Sequence, residues 1–147
     1  MDSRENIRWK QRFQNFIRAF TLLRSALDDR ELDTFSDLEK EGIIQRFEYT
    51  FELSWKTFKN YLEYTGVVII EASPRRVIKQ CASSGIFANA KINPETYMDM
   101  MLERNLLSHT YDSEKFNEAL VRLKKEYLAE FEKQYDFLME KELDEND

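Results

Sequence analysis

The stretch Ile44-Gln-Arg-Phe-Glu-Tyr-Thr-Phe-Glu-Leu-Ser-Trp-Lys-Thr-Phe-Lys-Asn-Tyr-Leu62 decides the fold. Ile44, Phe47, Phe51, Trp55, Phe58 and Leu62 recur at spacings of three and four. At about 100° per residue they fall within about 40° of one line, which makes a single apolar stripe along a helix. Such a stripe of bulky side chains demands an apolar partner, and the neighbouring segments supply it. Trp9, Phe13, Phe16, Phe20, Leu23 and Leu27 form a second stripe, predicting a helix over Glu5–Leu27. Phe116, Leu120, Leu123, Tyr127, Phe131, Tyr135 and Leu138 form a third, predicting a helix over Glu114–Glu140.

The punctuation between the stripes is equally direct. Ser36 with Glu39 is a capping box that opens the helix ending near Tyr64, and Gly66 suits a left-handed stop. Gly42 leaves a later start open. Val67–Ala72 reads as a short extended segment. Ser73-Pro74 is an N-cap followed by proline and opens a short helix ending before Gly85. Asn93-Pro94 repeats that chemistry for a helix reaching Ser108 or Thr110, and Asp112-Ser113 caps the last one. The expectation is all-α: an antiparallel up-and-down four-helix bundle with one short extra helix. One domain spans residues 1–140, followed by an acidic, frayed tail over 141–147.

Composition agrees. The chain has 147 residues, of which 42% are hydrophobic, and only three Gly and two Pro. So few breakers leave little room for the turns of an all-β fold. Cys81 is the only cysteine, so no intrachain disulfide forms. The polar start Met1-Asp-Ser-Arg-Glu-Asn lacks the apolar region of a secretory signal, and a reducing cytoplasm is the expected compartment. The longest apolar run, Val67-Val-Ile-Ile70, is far short of the roughly 20 residues a membrane helix needs. The net charge of −6 argues against a general nucleic-acid coat protein but leaves room for a small basic site.

Most site chemistry is absent from the pattern. There is no glycine-rich phosphate loop, no paired-cysteine motif and no Glu-x-x-His, so no metal or cofactor site is expected. Glu48 and Glu52 stand one turn apart, but Lys56 completes an i,i+4 pair with Glu52 and the group reads as a solvated charged flank. Arg104-Asn-Leu-Leu-Ser-His-Thr-Tyr111 is different. It concentrates an arginine, the only histidine and a tyrosine at a helix end. An arginine can clamp phosphoryl oxygens through a planar fork, and a histidine moves protons near neutral pH. In RNA the 2′-hydroxyl is a built-in nucleophile. A histidine at a helix C-terminus also has a plainer role, a favourable interaction with the helix dipole. An ideal helix turns His109 about 140° away from Arg104. The two converge only if the last turn tightens or breaks, or if two copies meet.

Arg104-(Asn-Leu-Leu-Ser)-His109 resembles the HEPN superfamily signature of an arginine, four to six residues and a histidine, and with Tyr111 two residues on it matches the narrower Arg-x4-His-x-Tyr pattern. Within it the likeness is to the HepT-like toxins, the nucleotidyltransferase substrate-binding proteins. Gln45–Lys56 resembles that family's second helix, and Ser73–Gln80 with Gly85-Ile86 its middle segment. Tyr97 stands where many members carry another aromatic residue.

The resemblance implies a dimerising helical bundle that brings two Arg/His pairs to one cleft and cleaves RNA without metal. Arg104 and His109 would then be catalytic, Asn105 supporting, and Tyr111 the residue that a minimal nucleotidyltransferase adenylylates. The implied partners are that nucleotidyltransferase, an RNA substrate and a second copy of the chain. The competing expectation is a non-catalytic scaffold that presents a substrate to the transferase. A complete Arg104/His109 pair favours the enzyme, and the net charge of −6 favours the scaffold.

Overall fold

The computed structural model describes residues 3–146. Its helices are α1 (Ser3–Asp28), α2 (Asp37–Tyr64), α3 (Pro74–Ser83), α4 (Ile86–Ala90), α5 (Pro94–Leu107), α6 (Ser113–Arg122) and α7 (Leu128–Asn146). A 3-10 turn, Leu32–Thr34, lies in the α1–α2 connection. A π turn, Leu123–Tyr127, joins α6 to α7, so the two make one continuous helix.

The caps form where the sequence places them. Ser36 Oγ accepts from the Glu39 amide at 3.1 Å while the Glu39 carboxylate accepts from the Ser36 amide at 2.9 Å. The helix therefore starts at Ser36, and Gly42 lies inside it. Gly66, at φ +100°, ends α2. Its amide bonds to the Glu63 carbonyl and that of Val67 to the Leu62 carbonyl, a Schellman closure that satisfies two orphan acceptors. Asn93 Oδ1 accepts from the amides of Glu95 and Thr96, and Asp112 Oδ1 from those of Glu114 and Lys115.

Ring contacts set the layout. Trp9 meets Tyr61, and Arg12 reaches Asn60, so α1 and α2 run antiparallel. Phe13 against Tyr135 and Phe20 against Phe131 set α7 antiparallel to α1. Tyr97 packs on Phe58 near the start of α5, and Arg104 reaches Glu52 near its end, so α5 runs antiparallel to α2. The result is an up-down-up-down helical bundle. Phe47, Phe51, Trp55 and Phe58 are all buried in it, as the stripe requires. Inside the core, Ser54 Oγ contacts Tyr97 Oη at 2.5 Å and donates to the Gln134 side-chain carbonyl. Gln134 Nε2 returns a hydrogen bond to the Ser54 carbonyl at 3.0 Å.

Four details differ from the sequence reading. Val67–Ala72 forms no strand: residues 67–69 have no regular structure and a turn follows at Ile70-Glu71, with Glu71 at φ +51°. No strand lies beside it among the described residues, and the Arg76 side chain satisfies the Ile70 carbonyl at 2.7 Å instead. The α2–α5 crossing carries two short helices, not one. Gly85, at φ +85°, breaks the chain sharply enough to start α4. The last helix continues through the acidic stretch to Asn146, since Glu, Lys and Leu are all good helix formers. Finally, Leu123, Tyr127 and Phe131 are spaced by four, which drifts about 40° per step on an α-helix. The wider π turn takes up that drift and leaves all three buried.

Candidate functional site

The C-terminal end of α5 carries the sequence signature. Its last turn closes tightly. The Ser108 amide and hydroxyl both bond to the Arg104 carbonyl, at 3.1 and 2.7 Å, and the His109 amide bonds to the Leu106 carbonyl at 3.2 Å. The i−3 bond at His109 adds rotation per residue, so it does not turn the imidazole back toward Arg104. His109 is exposed, and Tyr111 is 94% exposed. Neither side chain has a hydrogen-bond partner among the described residues. The segment is held from its backbone, with Asp112 capping α6 and its amide donating to Thr110 Oγ1 at 3.3 Å.

Arg104 points the other way, onto α2. Nη2 donates to Glu52 Oε2 at 2.8 Å, with both side chains 29% exposed. Nη1 donates to Asn105 Oδ1 at 3.3 Å, and Nε is buried without a partner. Thus the structure joins Arg104 to Asn105, while no hydrogen bond links Arg104 to His109 or Tyr111 within one chain.

Two carboxylates from α2, Glu48 and Glu52, face Arg104 rather than standing as a solvated flank. Glu52 accepts from Trp55 Nε1 at 3.1 Å and faces Lys56 Nζ at 3.2 Å, besides its bond to Arg104. Partial burial pushes its pKa up. The Trp55 and Lys56 hydrogen bonds and the charges of Arg104 and Lys56 outweigh that, leaving it below the usual carboxylate range. Glu48, one turn earlier, goes the opposite way. Its burial dominates, and the Arg104 charge and the Ser108 hydroxyl at 3.4 Å only partly compensate. The Ser108 hydroxyl has one proton and a nearer acceptor in the Arg104 carbonyl, so Glu48 is poorly served. The i,i+4 match of Glu52 with Lys56 hid the role of this pair. Only the pairing of α2 with α5, which is long-range, exposes it.

Behind the site, α5 is clasped to the last helix. Glu103, buried, accepts from Arg122 Nε at 2.5 Å and Nη2 at 2.9 Å, and from Tyr127 Oη at 3.3 Å. Burial and the Glu103 charge push the Tyr127 phenol well up. A groove between α1 and α2, lined by Ser25, Arg30, Phe35, Glu39 and Arg46, contains none of the signature residues. Among the described residues no three His, Cys, Asp or Glu side chains gather as a metal site requires, and no helix is long and apolar enough to cross a membrane.

No curated protein matches the chain. Residues 11–140 match the family described as nucleotidyltransferase substrate binding protein like. That span takes in α2 to α6 whole, most of α1 and α7, and the whole of the Arg104–Tyr111 segment, and the chain belongs to this nucleotidyltransferase-associated family.

Proposed function

We propose that this chain is a metal-independent ribonuclease of the HEPN type, restrained by a minimal nucleotidyltransferase that adenylylates Tyr111. The observation that carries the reading is the arrangement at the end of α5. A half-buried arginine is fixed by its neighbours, while just beyond the helix an imidazole and a phenol stand unpartnered in solvent. In the reaction the 2′-oxygen bonds to phosphorus and the bond from phosphorus to the 5′-oxygen breaks. One proton leaves the 2′-hydroxyl and one arrives on the 5′-oxygen. Arg104, steadied by Asn105, meets the charge that builds on the nonbridging oxygens, and His109 moves a proton as general acid or base.

One chain does not finish this site, because Arg104 faces α2 while His109 points away from it. Leu102 and Leu106, 49% and 46% exposed, lie on the same side of α5 as His109. A second copy packed on that strip covers apolar surface and sets both His109 side chains beside one groove. Adenylylation of Tyr111 then places a bulky anion where an RNA phosphate must bind, competing for Arg104.

The second reading is a non-catalytic scaffold for the transferase. It is favoured by Glu48 and Glu52, which flank the one arginine and repel a polyanion. The experiment is RNA cleavage in EDTA by wild type, Arg104→Ala, His109→Ala and Tyr111→Phe, with and without the transferase and ATP. The ribonuclease reading expects Arg104→Ala and His109→Ala to lose cleavage at near-unchanged melting temperature. It expects Tyr111→Phe to cleave but escape inhibition. A wild type that cleaves nothing yet binds the transferase tightly gives the site to the scaffold.

A further inference from the structure

The geometry points to Glu52 as the positioning residue of Arg104, one that also occupies its guanidinium until an oxyanion arrives. The inference rests on the proposed role of Arg104 as the phosphate-binding group. Its basis is the way Glu52 is itself held. Trp55 Nε1, at 3.1 Å, and Lys56 Nζ, at 3.2 Å, both belong to the next turn of α2. Both carboxylate oxygens are therefore fixed to the rigid helix before Arg104 is counted. Arg104 Nη2 then docks on Oε2 at 2.8 Å, its only ion pair among the described residues. Nε is enclosed by protein, so the inner edge of the guanidinium packs against the fold.

Two consequences follow for an anion. The guanidinium has five N–H donors, of which Glu52 takes one and Asn105 one, and the Nε–H is buried. One N–H on each Nη remains, enough for a two-point contact with a phosphoryl group. The same carboxylate also repels that phosphoryl group. Glu52 thus aids turnover through orientation and opposes ground-state binding through charge, so its loss must move the two in opposite directions.

The test compares wild type with Glu52→Gln and with Trp55→Phe, which removes the indole N–H anchor, keeps an aromatic ring in the core and leaves the Glu52 charge in place. Glu63→Gln is a matched change of charge eleven residues along α2, where the carboxylate pairs with Lys59. Three quantities are read: the heteronuclear NOE of the Arg104 Nε–H, the affinity for a non-cleavable 2′-O-methyl RNA oligonucleotide, and kcat on RNA. Glu52→Gln is expected to lower the NOE, tighten the oligonucleotide about three- to tenfold and reduce kcat about tenfold or more. Trp55→Phe keeps the Glu52 charge, so it should lower the NOE and kcat by less while leaving the oligonucleotide affinity near wild type, and it carries the test through the NOE and kcat if Glu52→Gln does not fold. Glu63→Gln should leave the NOE as in wild type. An unchanged NOE in both Glu52→Gln and Trp55→Phe overturns the inference. So does an affinity that falls together with kcat, as a merely structural role would give. If the NOE and affinity shift as expected but wild type cleaves no RNA, the positioning of Arg104 stands and the ribonuclease reading falls.

Discussion

Replacing Arg122 by alanine should destabilise the fold far more than neutralising its partner Glu103. Glu103 is 6% exposed at its side chain and takes two charge-assisted hydrogen bonds from Arg122, which is 41% exposed. Removing the arginine leaves a buried carboxylate with only the Tyr127 hydroxyl at 3.3 Å. Breaking a fully buried pair in this way costs about 3–5 kcal/mol. Water reaches the half-exposed Arg122 side, which discounts the figure to about 2–3 kcal/mol. Glu103→Gln keeps an acceptor in place and frees Arg122 to turn into solvent, for about 1 kcal/mol. In a domain of this size the first change lowers the melting temperature by roughly 5–10 °C and the second by roughly 3 °C. Thermal melts by circular dichroism, with urea titrations for the free energies, read both. Equal losses, or a larger loss for Glu103→Gln, would refute the argument that the carboxylate is the member of the pair that cannot reach water.

Three further outcomes follow from the polar groups. Ser54→Ala strands the Tyr97 hydroxyl and the Gln134 carbonyl inside the core and should cost about 2–3 kcal/mol in urea titration, more than Tyr97→Phe, which leaves Ser54 and Gln134 paired. The Arg30 hydrogen bond, with the Ser36 amide, holds the Glu39 carboxyl down to about 2. A depressed carboxylate stabilises the fold above its unfolded pKa and loses that contribution as pH falls from about 4.5 toward about 2, so Glu39→Gln should flatten the acid limb of the stability curve in that window. Burial raises the Glu48 pKa, so ionisation of Glu48 weakens the fold as pH climbs past its unfolded pKa, and Glu48→Gln should be more stable than wild type at pH 7 by chemical denaturation.

The bundle was legible because its signals are local. Stripes at three and four residues, the Ser36–Glu39 box and the Asn93, Asp112 and Ser73 caps each act within one turn, and each formed where the sequence places it. What escaped is set by packing across elements or by drift along one. The π turn answers three apolar residues spaced by four, a mismatch that a wheel at fixed pitch averages away. At the candidate site the sequence yields Arg104, Asn105, His109 and Tyr111 as one cluster at a helix end. It does not yield Glu52, whose partners Trp55 and Lys56 make it look complete on its own helix, nor Glu48, whose neighbours Ser108 and Arg104 come from α5 and its end. Nor does it reveal that Arg104 turns onto α2 while His109 stays in solvent.

The most direct test of the account is the chemistry of the cut. A labelled RNA oligonucleotide is incubated with the purified chain in EDTA, beside the same oligonucleotide carrying single 2′-deoxy substitutions, and the product ends are identified by mass spectrometry. The account predicts cleavage that leaves a 2′,3′-cyclic phosphate, is blocked wherever the 2′-hydroxyl is removed, and is lost in both Arg104→Ala and His109→Ala. Cleavage that survives 2′-deoxy substitution at the cut site, or that persists in His109→Ala, would contradict it.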